Sequence, residues 1–178
     1  METQDLPATD ASDSQDQDSR SLPTFESLFE REQRRLHGAL CVLTGNPHEA
    51  EELAQDAFVR VWERWDRVQL MADPTGYLYR TAMNAYRSRY RRALLALRVQ
   101  ITSREPADSL SVIEDRDAVV RRLGRLTRGQ RVAVVLVDLL EFTSDEAASI
   151  LRSTPGAVRT QASRGRAALR QTEGDLDA

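Results

Sequence analysis

The chain has 178 residues, 40% hydrophobic, 30% charged and only 6% aromatic, which suits one compact domain or two small ones. The formal charge of −3 is unevenly spread: residues 1–23 carry net −5, 24–112 net +1, 113–170 net +4 and 171–178 net −3, and all 25 basic residues are arginine. One cysteine excludes an internal disulfide, two isolated histidines make no zinc site, and the longest apolar run, Val132–Val137, is far short of the roughly 20 residues that cross a bilayer.

In chain order, residues 1–23 are rich in Asp, Ser and Gln and too poor in apolar groups to pack, so disorder is expected there. They contain no apolar stretch of the kind a secretory signal needs, and a soluble, cytoplasmic protein with no membrane insertion is expected. Apolar residues then recur at helical spacing from Phe25 through Leu28, Leu36, Leu40 and Leu43. Asn46-Pro47-His48-Glu49 reads as the next helix start, with Asn as cap, Pro at the first position and Glu49 completing a box-like pair. Ala50, Leu53, Ala54, Ala57, Phe58, Val61, Trp62 and Trp65 form the core-facing stripe of that helix. Its opposite face, with Glu52, Gln55, Asp56, Val59 and Arg60, is either simply hydrated or a surface for a basic partner.

Asp73-Pro74 starts a third helix, expected to reach about Leu95. From Pro74 to Arg104 the chain has seven arginines and no acid, interleaved with Tyr77, Tyr79, Tyr86 and Tyr90. Aromatic rings beside arginines suit unpaired bases, although four tyrosines at these positions cannot share one face and some must be core. Residues 96–110 read as a linker. A capping box at Ser111–Glu114 reopens the helical pattern, closed at Gly124; Thr127–Gln130 opens a helix through Leu140; Thr143–Glu146 opens a short one; Thr154-Pro155 starts the last, reaching about Arg170.

The final pair has the spacing of a helix-turn-helix: small Ala148 at the crossing, Arg152 at the turn and apolar Val158 as anchor. The turn usually takes glycine because its backbone favours positive φ, so Arg152 there should cost about 1 kcal/mol. Thr154 at the helix start, followed by Arg159, Thr160, Ser163, Arg164 and Arg166, gives the residue types that meet phosphates and base edges in a duplex groove. A solvated basic helix is the alternative.

With these segments in place, EAEELAQDAFVRVWERWD followed by PTGYLYRTAMNAYRSRYRR resembles region 2 of an extracytoplasmic-function (ECF) sigma factor, and LTRGQRVAVVLVDLLEFTSDEAASILRSTPGAVRTQASRGRAALR resembles its region 4. The resemblance implies an all-α chain of two small helical domains joined by a flexible linker, the second ending in the helix-turn-helix. It divides the chain into an acidic extension (1–23), region 2 (24–95), a linker (96–110), region 4 (111–171) and an acidic tail (172–178). It implies a non-enzymatic subunit of RNA polymerase with no catalytic residue, cofactor or metal. Core RNA polymerase would be met through the β′ clamp helices and the β flap.

Carried over residue by residue, the resemblance assigns polymerase binding to Glu52, Gln55, Asp56 and Arg60. It assigns recognition of the −10 promoter element to Tyr77, Arg80, Asn84, Arg87 and Arg91, and of the −35 element to Thr154, Arg159, Thr160, Ser163, Arg164 and Arg166. Gly165 stands where alanine is usual, and Arg152 where the turn glycine is usual. An anti-sigma factor is expected as a further partner, with screening of the basic faces by residues 1–23 as the rival way to hold the chain inactive. The rival functions are a stand-alone helix-turn-helix regulator, which would bind duplex without polymerase, and a helical protein-binding adaptor, which would need no nucleic acid.

Overall fold

The computed structural model describes residues 23–99 and 114–174, all of it helix and short connections. The acidic extension up to residue 22, the Ser111 box and most of the expected linker lie outside the described residues. The order is α1 (Phe25–Thr44), α2 (Pro47–Trp62), the single-turn α3 (Trp65–Val68), α4 (Pro74–Val99), α5 (Glu114–Gly124), α6 (Arg128–Val134) continuing into a π segment (Val135–Leu139), α7 (Ser144–Leu151) and α8 (Pro155–Gly174).

Local chemistry accounts for most of the boundaries. Asn46 accepts hydrogen bonds from the His48 and Glu49 amides, and Asp73 accepts one from Gly76 at 2.7 Å. Thr127 with Gln130, and Thr143 with Glu146, form reciprocal capping boxes. Glu49 does not complete a box as expected: its carboxylate reaches Arg89 on α4 at 3.1 Å. α4 runs four residues past the expected Leu95, so 96–99 are helix rather than linker, and α8 runs on from Arg170 to Gly174. The helix expected through Leu140 widens at Val135, with the Leu140 amide bonded to the Val135 carbonyl.

The two halves are closed on each other. A single hydrophobic cluster joins Leu36, Leu40, Leu78, Tyr79 and Met83 of the first half to Val135, Leu136, Leu140, Ile150 and Leu151 of the second. Each fully buried leucine contributes about 1.5–3 kcal/mol by leaving water. Tyr79 packs edge-on against Phe142 at 4.9 Å between ring centroids. Polar contacts stitch the same seam: Arg35 donates to the Leu140 carbonyl, Arg87 to that of Leu151 and Arg131 to that of Leu43.

Among the described residues one carboxylate lies inside. Glu32, 1% exposed, accepts from the Tyr79 hydroxyl at 3.0 Å and from Arg31 at 2.8 Å, with Arg35 at 3.8 Å. Burial, and then the Glu32 charge, push the Tyr79 phenol well above its ordinary range, so it stays a proton donor. The four-tyrosine problem resolves accordingly: Tyr79 and Tyr86 are core, Tyr77 is half-buried and Tyr90 is exposed.

Candidate nucleic-acid interface

Three surfaces carry the residues singled out from the sequence. On α4, Tyr77, Arg80, Asn84, Arg87 and Arg91 follow alternating steps of three and four residues and therefore form one stripe. Leu78, Ala82, Met83 and Tyr86 take the opposite side into the core. At the upper end the Tyr77 hydroxyl accepts from Arg64 at 3.2 Å, and the Arg80 guanidinium lies 5.3 Å from the Tyr77 ring centroid. Arg64 was not anticipated; it lies outside the helix that carries the stripe.

The lower end of the stripe opens into a cleft of about 770 Å³ between the halves. Asn84, Arg87 and Arg91 face Arg128, Arg152 and Ser153 across it, and among the described residues no acidic one lines it. Arg128 lies 4.8 Å from the Tyr90 ring centroid and 5.5 Å from that of Tyr86. Arg87 is half-buried, and burial first, then Arg128 and Arg91, lower the affinity of its guanidinium for its proton. Among the described residues the cleft is thus lined by positive charge with no carboxylate beside it. Arg128 and Arg152 were not among the expected site residues, because only the closure of the halves brings them to α4.

The second surface is α8. Thr154 caps it through the Ala157 amide, and Arg159, Thr160, Ser163, Arg164 and Arg166 are all exposed. They are not equivalent. The Thr160 hydroxyl donates to the Gly156 carbonyl, and Arg166 is held by Asp138 at 2.7 Å. Among the described residues Arg159, Ser163 and Arg164 have no such partner, so these three project from α8 with unused donors. At the turn before α8, Arg152 has φ 51° and ψ 51°, and the Ser153 amide closes on the Ala148 carbonyl at 2.9 Å. The expected left-handed turn is present with arginine in it.

The third surface is the outer side of α2. Gln55, Asp56 and Arg60 are exposed. Glu52 is tied to Arg89 at 2.7 Å, whose hydrogen bond and charge hold its carboxyl below the usual range. Trp62 departs from the expected core stripe: it is 55% exposed, because α2 ends there and the chain turns before Trp65. With Phe25, Phe29, Phe58 and Val59 it lines an apolar groove of about 710 Å³ beside Gln55. The sequence signal was Val59, an apolar residue on an otherwise polar face.

Residues 28–94 match the family described as sigma-70 region 2, and residues 116–169 match sigma-70, region 4. ECF RNA polymerase sigma factor SigM of Mycobacterium tuberculosis is 30% identical over 154 residues, covering 86% of this chain and 79% of that protein. ECF RNA polymerase sigma factor SigW of Bacillus subtilis is 29% identical over 150 residues, covering 75% and 80%. Among solved structures, the sigma factor RpoE in complex with the anti-sigma factor NepR from Bartonella quintana has the same fold, with a TM-score of 0.70 at 22% identity over 83% of this chain and 94% of that one. CnrH in complex with the cytosolic domain of CnrY gives a TM-score of 0.62 at 25% identity, over 86% and 89%.

Proposed function

The chain belongs to the ECF RNA polymerase sigma factors, and from that premise we propose how its surfaces divide the work of starting transcription. The chain binds core RNA polymerase, and it recognises the −10 element with its first half and the −35 element with its second. It acts in the cytoplasm, where the polymerase is, as an initiation factor without chemistry of its own. Region 2 spans about 24–95 and region 4 about 111–171.

The observation that carries this reading is the pairing of two unlike nucleic-acid surfaces in one chain. The α4 stripe offers a tyrosine ring, an exposed amide at Asn84 and arginines, which suit bases lifted out of the duplex. α8 follows a helix-turn-helix and offers arginines and a serine but no ring, which suits the intact major groove. On α2, Gln55, Asp56 and Arg60 beside the Val59–Trp62 groove form the polymerase-docking face, with Glu52 orienting it through Arg89.

The closed arrangement cannot serve both elements at once. Elements named −10 and −35 are about 25 base pairs apart, which is roughly 85 Å of duplex at 3.4 Å per pair. Arg87 and Arg91 instead share one cleft with Arg152 and Ser153. Promoter binding therefore requires the halves to part, and the closed form is the resting state. An anti-sigma factor that favours this closure is the further partner, as the NepR and CnrY complexes of the similar structures support. The decisive experiment is run-off transcription with core polymerase on the DNA upstream of the chain's own gene. A defined transcript that requires the chain is expected; duplex binding that is indifferent to polymerase would overturn the reading.

A further inference from the structure

Two arginines that meet another element elsewhere in the molecule find a carboxylate there: Arg89 of α4 spans Glu49 and Glu52, and Arg166 of α8 takes Asp138. The cleft between the halves breaks that pattern. Arg87 and Arg91, one turn apart on α4, meet Arg128 at the start of α6 and Arg152 in the α7–α8 turn, and among the described residues none of the four is paired with a carboxylate. Burial loosens the hold of Arg87 on its proton, and Arg128 and Arg91 loosen it further, so these charges lie close enough to act on one another. The rim is charged and the floor is not: Arg91 and Arg152 are exposed, whereas Val132, Ala133, Leu151 and Val158 are buried beneath them. We propose that this cleft binds a short chain of phosphates, the group that nucleoside polyphosphates and inorganic oligophosphates share, gripped by Arg87 and Arg91 from the first half and by Arg128 and Arg152 from the second.

Charge density selects the ligand class. Four guanidiniums around one concavity call for several negative charges in a small volume. A phosphate chain carries them on oxygens that match the planar guanidinium fork in pairs. A volume of about 770 Å³ lies within the roughly 300–1,000 Å³ of ordinary small-ligand pockets. Two of the four guanidiniums are also positioned in advance, each by a partner that leaves its charge in place. Arg87 donates to the Leu151 carbonyl at 2.9 Å, and Arg128 lies over the Tyr90 and Tyr86 rings. Because each half supplies two arginines, the complete site exists only while the halves are closed, and its ligand therefore favours closure. The binding does not rest on the promoter reading. Its consequence does, because Arg87 and Arg91 would be withheld from DNA while the phosphates are bound.

The test is equilibrium dialysis of the full chain against sodium tripolyphosphate at about 0.15 M salt, where a Debye length of roughly 8 Å screens general attraction. Saturation at one ligand per chain is expected, with orthophosphate bound at least about tenfold more weakly. Arg91→Ala, Arg128→Ala and Arg152→Gly should each weaken tripolyphosphate by about tenfold, the loss of a charged hydrogen bond. Arg67→Ala and Arg170→Ala, which remove one exposed arginine outside the cleft from each half, should leave it unchanged. Arg152→Gly puts into the left-handed turn the residue it suits best, so its loss of binding cannot be loss of fold. ATP identifies the source of the phosphates: tighter binding than tripolyphosphate means that a nucleoside rests on the apolar floor, and equal binding means an inorganic chain. Absence of saturable binding, equal weakening by Arg67→Ala or Arg170→Ala, or weakening by Arg91→Ala alone would each overturn the proposal. So would a four-nucleotide single strand of DNA that binds as tightly and with the same dependence on Arg128 and Arg152, since the cleft would then be a strand site. Neither polymerase nor promoter enters the measurement, so its failure would leave the sigma-factor reading standing.

Discussion

The arginines of α4 and those of α8 differ in how far the protein itself has engaged them. On α4 three are committed: Arg80 sits over Tyr77, Arg87 donates to the Leu151 carbonyl, and Arg89 bridges Glu49 and Glu52. On α8, Arg166 is held by Asp138, while Arg159 and Arg164 stand clear of the other described residues. A committed, half-buried guanidinium beside a ring makes a shaped surface for a particular unstacked base. A row of solvated ones makes a surface that slides along phosphates and reads edges where geometry allows. Shape belongs to the first half and charge to the second, and they meet only at the cleft.

The largest effect should come from the shared core. Leu136 is fully buried in the cluster that spans both halves. Leu136→Ala should cost about 2–5 kcal/mol, and amide signals from α1 and α8 should disappear in one denaturant transition. Two separated transitions would show that the halves fold independently and that the common core is a late docking surface. Packing density can be compared in the same way with two glycines. A Cβ on Gly165 would come within 2.7 Å of Val134 Cγ2 and 3.4 Å of Gln130, whereas one on Gly38 meets nothing within 4 Å. Gly165→Ala should destabilise by about 1–3 kcal/mol. Gly38→Ala, mid-helix in α1, should stabilise by about 0.5–1 kcal/mol. Equal effects would remove the packing contrast.

Binding should separate the two arginine surfaces more directly. Asn84→Ala should leave assembly with polymerase intact but impair strand opening, seen as weak permanganate reactivity at the −10 element. Arg159→Ala should leave opening chemistry alone and weaken duplex binding. A lost phosphate contact would lower the salt slope by about one, and a lost base contact would cost about 1–3 kcal/mol and relax specificity. If Asn84→Ala changed only the salt slope, α4 would be a second charge surface and the contrast would fail.

Helix starts were legible because each is decided within four residues: Asn46, Asp73, Thr127, Thr143 and Thr154 all cap through their own or adjoining turns. The left-handed turn at Arg152 was legible for the same reason. Contacts across long stretches of chain were not. Asp138 holds Arg166 from 28 residues away, and Arg89 draws Glu49 out of its cap from another helix. Trp62 fitted the helical period of α2, but the helix ends under it and leaves the ring at the rim of a groove. Periodicity reports which side of a helix is apolar, and it says nothing of where neighbouring elements stop covering that side. The α4 stripe was named residue by residue from the sequence, yet its meeting with Arg128 and Arg152 follows only from closure of the halves.

The smallest expected effect falls where the two surfaces meet. Arg152 holds φ 51°, a conformation that costs a side-chain-bearing residue roughly 1–2 kcal/mol and glycine almost nothing. On the turn alone, Arg152→Gly should therefore stabilise the chain by about 1 kcal/mol, set against a few tenths lost because glycine frees the unfolded chain. Arg152 also adds positive charge to a cleft already holding Arg87, Arg91 and Arg128, so its removal should ease repulsion there, and more so at low salt. Urea midpoints for Arg152→Gly, measured at about 0.01 M and at about 1 M salt, separate these terms. A larger gain at low salt is expected, and equal gains would mean that Arg152 reports only on its own turn.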